Sequence, residues 1–194
     1  MQQVNESNNL LVLGTAQDGG YPHTGCSEDC CREAWKDSNQ KRLIASLAVL
    51  DGKDCFLVDI TPDFKYQLQL IERHINEKPR ISGICITHAH LGHYMGLLEL
   101  GLEAMNTNAI PVYVMPKMKS LLENNAPFTQ LLELNNIRLF ALQDNCPVDI
   151  FKDVKIVPLQ VPHRNEYSET VGYRIQSSHQ SVLYIPDIDS WNGW

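Results

Sequence analysis

Residues 86–96 read "ITHAHLGHYMG" and carry three of the chain's seven histidines, His88, His90 and His93, within six positions. The run leading into them, Ile81 to Thr87, is apolar and rich in β-branched residues, so it reads as a buried strand that delivers the histidines to a loop at a sheet edge. His88 and His90 are two apart in an extended segment and point to the same side, where both imidazoles reach one ion. His93 lies three further on, at the start of the next helix, whose first turn brings it back towards the same cavity. The competing reading, surface histidines or helix caps, needs three such residues to gather by coincidence. A strand, loop and helix give a rigid base of the kind that holds metal centres.

Outward from that stretch the chain divides into short strands and single helices. Leu10 to Leu13 is a strand candidate, followed by "GTAQDGGYPHTG" (14–25), a loop under backbone constraint with four glycines and a proline. Glu28 to Arg42 has helix-forming composition. Ile44 to Leu50 and Cys55 to Ile60 are strand-like runs joined by "DGKD", where Asp51-Gly52 signals an antiparallel hairpin. Thr61 and Pro62 offer an N-cap and a first helical residue to an amphipathic helix carrying Phe64, Leu68, Ile71 and Ile75, closed before Pro79. Gly96 to Met105 reads as helical, 111–115 as a strand, and 117–134 as helical turns broken at Pro127. Strand candidates follow at 137–142, 154–161, 171–176 and 182–185, the last two joined by the turn "SSHQ". This alternation predicts one layered α/β domain over residues 10–194, sheet packed on sheet with helices outside (αββα), preceded by a flexible N-terminus at 1–9.

A chain of 194 residues that is 43% hydrophobic suffices for one buried core. Its 16 basic and 23 acidic residues, with no Lys/Arg-rich run, argue against nucleic acid as a partner. The first nine residues are polar and lack a basic residue, and Leu10 to Leu13 is too short for a signal core or a membrane span, so a cytoplasmic protein without membrane association is expected. Cys55 and Cys85 sit in apolar runs as small buried residues do. Cys26, Cys30 and Cys31 cluster instead, with His23 nearby, in a pattern suited to a structural Zn²⁺: Cys26 with one or both of Cys30 and Cys31, completed by a residue elsewhere, with His23 as a further candidate. Free thiols at a helix start are the alternative.

"THAHLGH" resembles the signature of the metallo-β-lactamase fold, His-x-His-x-Asp-His, with Gly92 where the aspartate stands. Other landmarks occur in that family's order: "LGTAQDGG" after the first strand, "FLVD" ending at Asp59, "VPHRNEYSETVGYRI" with His163, and "VLYIPDID" with Asp187. With "GTAQDGGYPHTGC" in front and "YIPDID" near the end, the chain resembles the branch that includes the pyrroloquinoline quinone (PQQ) biosynthesis protein B, from about Leu10 onwards. The resemblance implies that His88, His90 and His163 form a first metal site, that Asp187 bridges towards a second, and that His93 belongs to the second. Asp59 then orients the site's histidines or loops, or is an ordinary strand-end aspartate accepting backbone N–H groups. Some relatives in this fold carry a structural zinc after the glycine-rich loop, with tighter cysteine spacing than here.

The family's second site uses the motif aspartate and a late histidine. Gly92 removes the first, and His179 precedes Asp187, in the hairpin turn, so a single-metal site is expected. Three imidazoles and a carboxylate suit Zn²⁺ first, and also Fe²⁺ or Mn²⁺. No catalytic side chain besides the ligands stands out: Tyr94, Glu166 and Tyr167 meet a substrate or merely pack. The expected function is that of a metal-dependent hydrolase acting on a small-molecule ester or phosphodiester through metal-bound hydroxide. A PQQ-biosynthesis role, as an iron-dependent oxygenase or a carrier of the quinone, and non-catalytic metal binding are the alternatives. The chain also resembles the front two-thirds of a longer protein. A sandwich cut there exposes apolar strand faces and an edge, which predicts reliance on an oligomer or a partner chain.

Overall fold

A computed structural model of the chain describes residues 9–192 and 194. Of the expected flexible segment 1–9, residues 1–8 lie outside that range, and Asn9 already belongs to the first strand. β1 (Asn9–Gly14) pairs antiparallel with β2 (Ser46–Asp51), which turns at Asp51-Gly52 into β3 (Asp54–Val58). Gly52 takes φ +58°, the left-handed conformation that this turn demands. Three parallel pairings add β4 (Arg80–Cys85), β5 (Ile110–Val114) and β6 (Ile137–Ala141), completing a six-stranded sheet in sequential order. A second, antiparallel sheet has the order β10-β9-β8-β7, from β7 (Val148–Phe151), β8 (Val154–Gln160), β9 (Val171–Gln176) and β10 (Ser181–Tyr184).

The period-two alternation of side chains divides the interior in two. Ala48, Leu50, Cys55, Leu57 and Ile84 face one way, towards the helices; Leu47, Val49, Phe56, Val58 and Cys85 face the other, against Ile156, Val171, Tyr173 and Ile175 of the second sheet. Strands β2, β3 and β4 of the larger sheet are therefore buried on both faces, which is why they read as apolar runs. Helices α1 (Asp29–Lys36), α2 (Phe64–Ile75), α3 (Leu91–Tyr94), α4 (Pro116–Asn124) and α5 (Phe128–Glu133) complete the described elements, apart from short 3₁₀ turns. Buried residues of α2, α4 and α5 pack on the first core, giving the helix, sheet and sheet layers of the αββα arrangement. Among the described residues no helix contributes to the core on the second sheet's side.

Several local expectations shift. The Thr61-Pro62 signal falls two residues ahead of the helix: the Thr61 hydroxyl accepts from the Asp63 N–H (3.0 Å), its carbonyl accepts from the Phe64 N–H (3.0 Å), and α2 starts at Phe64. Helix α2 closes at Asn76, in the left-handed conformation. The helix expected over 28–42 stops at Lys36, because the Asp37 side chain accepts the Asn39 N–H and turns the chain into a 3₁₀ turn at Ser38–Gln40. Gly96 to Met105 forms no α-helix. The Gly96 N–H donates to the Ile60 carbonyl (3.0 Å), and a Cβ there would stand 2.3 Å from the Thr61 carbonyl oxygen, so tertiary packing fixes a tighter 3₁₀ turn at Met95–Leu100. Strand β7 was not expected, since "VDIF" is short and interrupted by an aspartate.

The topology brings the carboxyl ends of β1, β3 and β4 to one edge, together with the β8–β9 connection and the segment after β10. Backbone bonds stitch these pieces together: Asp59 N–H to the Cys85 carbonyl (2.8 Å), Ile60 to His93 (2.9 Å), Val171 to Thr87 (3.1 Å) and Asp189 to Pro162 (2.8 Å).

Candidate metal centre

His88, His90, His163 and Asp187 converge at this edge with all four ligand atoms within 4.8 Å of one another. His90 Nδ1 lies 2.9 Å from His88 Nε2 and 3.3 Å from His163 Nε2, while Asp187 Oδ2 lies 3.2 Å from His88 Nε2 and 3.8 Å from His163 Nε2. Donors on a tetrahedron around an ion at about 2.0–2.1 Å stand about 3.3 Å apart, so these separations fit a common ion. A hydrogen-bonded cluster fits less well. His90 Nδ1 faces two other imidazole nitrogens, and a ring nitrogen with one proton or one lone pair can pair with only one of them.

The outer nitrogen of every ring is held by a partner. The Thr87 hydroxyl donates to Asp59 Oδ2 (3.0 Å), so it accepts from His88 Nδ1–H (3.0 Å) and leaves His88 Nε2 with its lone pair facing inward. Asp59 also accepts from the Thr87 N–H (2.7 Å) and from His93 Nδ1–H (2.7 Å). His163 Nδ1 is held by Asp189 (2.8 Å) and His90 Nε2 by Glu166 (3.3 Å). Fixing the outer N–H fixes the tautomer and orients the inner nitrogen, which is how metal-binding histidines are commonly prepared. Asp59, 1% exposed and at φ +64°, therefore controls two histidines, His93 directly and His88 through Thr87. The sequence offered Asp59 two roles; its contacts combine them, a backbone N–H and a ring N–H on one carboxylate.

His93 stands apart from the four converging donors. Its Nε2 lies 3.2 Å from the same Asp187 Oδ2 and 3.1 Å from Asp18 Oδ1, so Asp187 is common to two donor groups. Asp18, from the loop after β1, was not singled out in the sequence. Burial would pull the His93 ring down, but the Asp59, Asp18 and Asp187 carboxylates outweigh it and push its pKa up to about 12. Asp187 is held well below the carboxylate range by the adjoining His88 and His93 rings, and Asp18 is lowered chiefly by its bond to His93. Burial lowers His88, which favours the neutral, ligating form.

The cysteine cluster is also brought together: the Cys26, Cys30 and Cys31 sulfurs lie within 4.8 Å of one another, the adjacent pair included. His23 does not join them. Its backbone N–H donates to Cys31 Sγ (3.3 Å), while its ring bonds the Thr24 carbonyl through Nδ1 and packs on Gly19, so its imidazole is turned away from the thiols. Tyr94 packs on Phe128 in the first core and Tyr167 is exposed. Glu166 reaches His90, and Arg164 lines a cavity of about 260 Å³ bordered by Asp18, His163 and Asp187. A larger groove of about 960 Å³ runs on from Asp18 past Tyr21, Trp35, Lys41 and Tyr66. Among the described residues no helix is long and apolar enough to cross a membrane.

Four inward-facing donors at the loop edge of a two-sheet sandwich define a class. A sequence model for the Beta-lactamase superfamily domain matches residues 55–193, and the chain belongs to that superfamily, with the metallo-β-lactamase fold. Within that superfamily the chain is similar to the coenzyme PQQ synthesis protein B. It is 27% identical over 199 residues to the Coenzyme PQQ synthesis protein B of Xanthomonas campestris pv. campestris (strain B100), covering 91% of this chain and 64% of the relative. The crystal structure of Zn(2+)-bound PqqB from Methylobacterium extorquens superposes with a TM-score of 0.78 at 22% identity, covering 92% of this chain and 65% of that one. A diphosphatase from the PhnP family superposes with a TM-score of 0.62 at 24% identity, covering 86% and 61%. The chain thus spans slightly under two-thirds of the length of these relatives.

Proposed function

We propose that the chain is a metal-dependent hydrolase that acts on an ester or phosphodiester of a small molecule, with His88, His90, His163 and Asp187 holding the ion. The observation that carries this reading is the set of inner ring nitrogens on His88, His90 and His163, each backed by an outer partner and facing one point beside Asp187 Oδ2. Zn²⁺ held there would supply Lewis acidity and lower the pKa of a bound water to about 7, making hydroxide available at neutral pH, and Fe²⁺ or Mn²⁺ would supply weaker Lewis acidity. The chain's own residues fix the ring tautomers, and Arg164 beside the donors supplies a cation for an anionic substrate.

The test is metal content by elemental analysis combined with turnover of an activated phosphodiester such as bis(p-nitrophenyl) phosphate. The reading expects at least one ion per chain, and turnover that His163→Ala removes together with that ion. Metal bound without any ester or phosphodiester turnover overturns it. The similarity to Coenzyme PQQ synthesis protein B favours a second reading, a role in making or carrying that quinone cofactor. Iron as the resident metal with oxygen-dependent turnover would select the oxygenase form of that role.

A further inference from the structure

We propose that a second metal ion binds between Asp18, His93 and Asp187, with Asp18 reaching in from the loop after β1 through space that Gly92 leaves open. This deepens the metal reading above and rests on it. Asp18 Oδ1 and Asp187 Oδ2 lie 3.1 Å and 3.2 Å from the same nitrogen, His93 Nε2, and the three ligand atoms form one compact group. These separations suit an ion with ligands at about 2.0–2.2 Å. Asp187 Oδ2 also stands 3.2 Å from His88 Nε2, so a single oxygen lies between both donor sets, the arrangement of a bridged pair of ions. His93 is 2% exposed and locked by Asp59, which aims its Nε2 at the two carboxylates.

Position 92 explains why the carboxylate comes from the first loop. A Cβ on Gly92 would stand 2.5 Å from Asp18 Oδ1 and 2.7 Å from Asp18 Cα, so no side chain fits at 92 while Asp18 is in place. The loop has little room to withdraw. The Thr15 and Ala16 N–H groups both bond the Leu43 carbonyl (2.9 Å), Ala45 N–H bonds the Ala16 carbonyl (2.9 Å), and a Cβ on Gly14 would overlap the Ile44 carbonyl. Gly92 is thus the space Asp18 occupies, and the sequence change at 92 relocates a ligand instead of deleting it.

The experiment counts Zn²⁺ and Mn²⁺ per chain by elemental analysis and titration, with electron paramagnetic resonance of the Mn²⁺-loaded protein as a readout independent of activity. The full chain is expected to bind two ions with a spin-coupled Mn²⁺ pair. Asp18→Asn, near-isosteric on a partly exposed loop, should fold as the parent does, retain one ion and lose the coupling. Gly92→Ala should lose the second ion as well, by displacing Asp18. His163→Ala instead attacks the first ion, so failure of that site is distinguishable. Two ions with unchanged coupling in Asp18→Asn, or one ion in parent and Asp18→Asn alike, overturns the proposal while leaving the first site standing.

Discussion

Replacing Asp59 by alanine should destabilise the protein more than any other single change at the loop edge. The substitution strips the acceptor from the Thr87 hydroxyl (3.0 Å), which can rotate to another partner, and from two fixed buried donors, the Thr87 N–H and His93 Nδ1–H, each bonded at 2.7 Å. A buried donor left unpaired costs roughly 1–3 kcal/mol, giving roughly 2–6 kcal/mol for the pair. Alanine at φ +64° adds roughly 1 kcal/mol of backbone strain. Against a total stability on the order of 5–15 kcal/mol this is a large fraction. For a chain of this size it corresponds to a fall in Tm of at least about 6 °C. Urea and thermal unfolding in the presence of a chelator measure it free of any metal contribution. Asp59→Asn separates orientation from stability. Its carbonyl keeps the Thr87 N–H, but its NH₂ must donate to Thr87 Oγ1 and His93 Nδ1. His93 then turns its proton to Nε2, and Thr87, now donating to His88 Nδ1, does the same to His88. Two inner nitrogens that must offer lone pairs to an ion are then held as N–H groups, so this variant should fold yet bind metal about 10–100-fold more weakly. An alanine variant within about 1 kcal/mol of the parent, or an asparagine variant with unchanged metal affinity, would refute the chain of hydrogen bonds.

Three further outcomes follow from the packing and the surface. Tyr173→Phe removes the hydroxyl that donates to the Ile86 carbonyl at 2.6 Å in the sheet–sheet core, and urea unfolding should show a loss of about 1–2 kcal/mol with an unchanged m-value. Gly96→Ala presses a methyl group onto the Thr61 carbonyl oxygen, a backbone atom held in the turn before α2, and should cost about 1–3 kcal/mol in the same assay. Asp54 is lowered by its hydrogen bond to Arg80, so the stability it contributes is present above the unfolded carboxylate value near 3.9 and lost as pH falls through the lower folded value. In Arg80→Gln that acid-side loss should be smaller than in the parent when melting temperature is followed from pH 5 to pH 3.

The metal centre was legible where its geometry is local. His88, His90 and His93 follow a strand and open a helix, so spacing alone says which rings can meet. His163 and Asp187 became visible only through landmarks along the chain, because a β8–β9 loop and the end of β10 reach the same edge by topology and not by spacing. Asp18 carried no signal. Its significance is a contact with a residue that has no side chain, and the missing Cβ at 92 reads in one dimension as a lost ligand. Similarly, "GLLELGLEAM" has helical composition, yet Gly96 is pinned against the Ile60-Thr61 turn, and that close approach overrides propensity. Strands β2 to β4 were easier to read because burial on both faces leaves an apolar run whatever the register.

The outer partners show why such a site tolerates relocation of a ligand. Each ring is aimed by a group outside the donor set: His88 by Thr87, His93 by Asp59, His90 by Glu166, His163 by Asp189. The loops carrying them are bonded to one another through their backbones, so the inner nitrogens hold their positions without help from the carboxylates between them. A carboxylate then needs only to reach the point where His93 Nε2 and Asp187 Oδ2 meet. Position 92 can offer it from the helix, or the loop after β1 can offer it from the opposite wall, and steric exclusion permits only one at a time. Placing the carboxylate on the first loop has a consequence for the substrate side. Asp18 also lines the groove that runs past Tyr21, Trp35 and Lys41, so the residue that completes the donor set borders the open groove beside it.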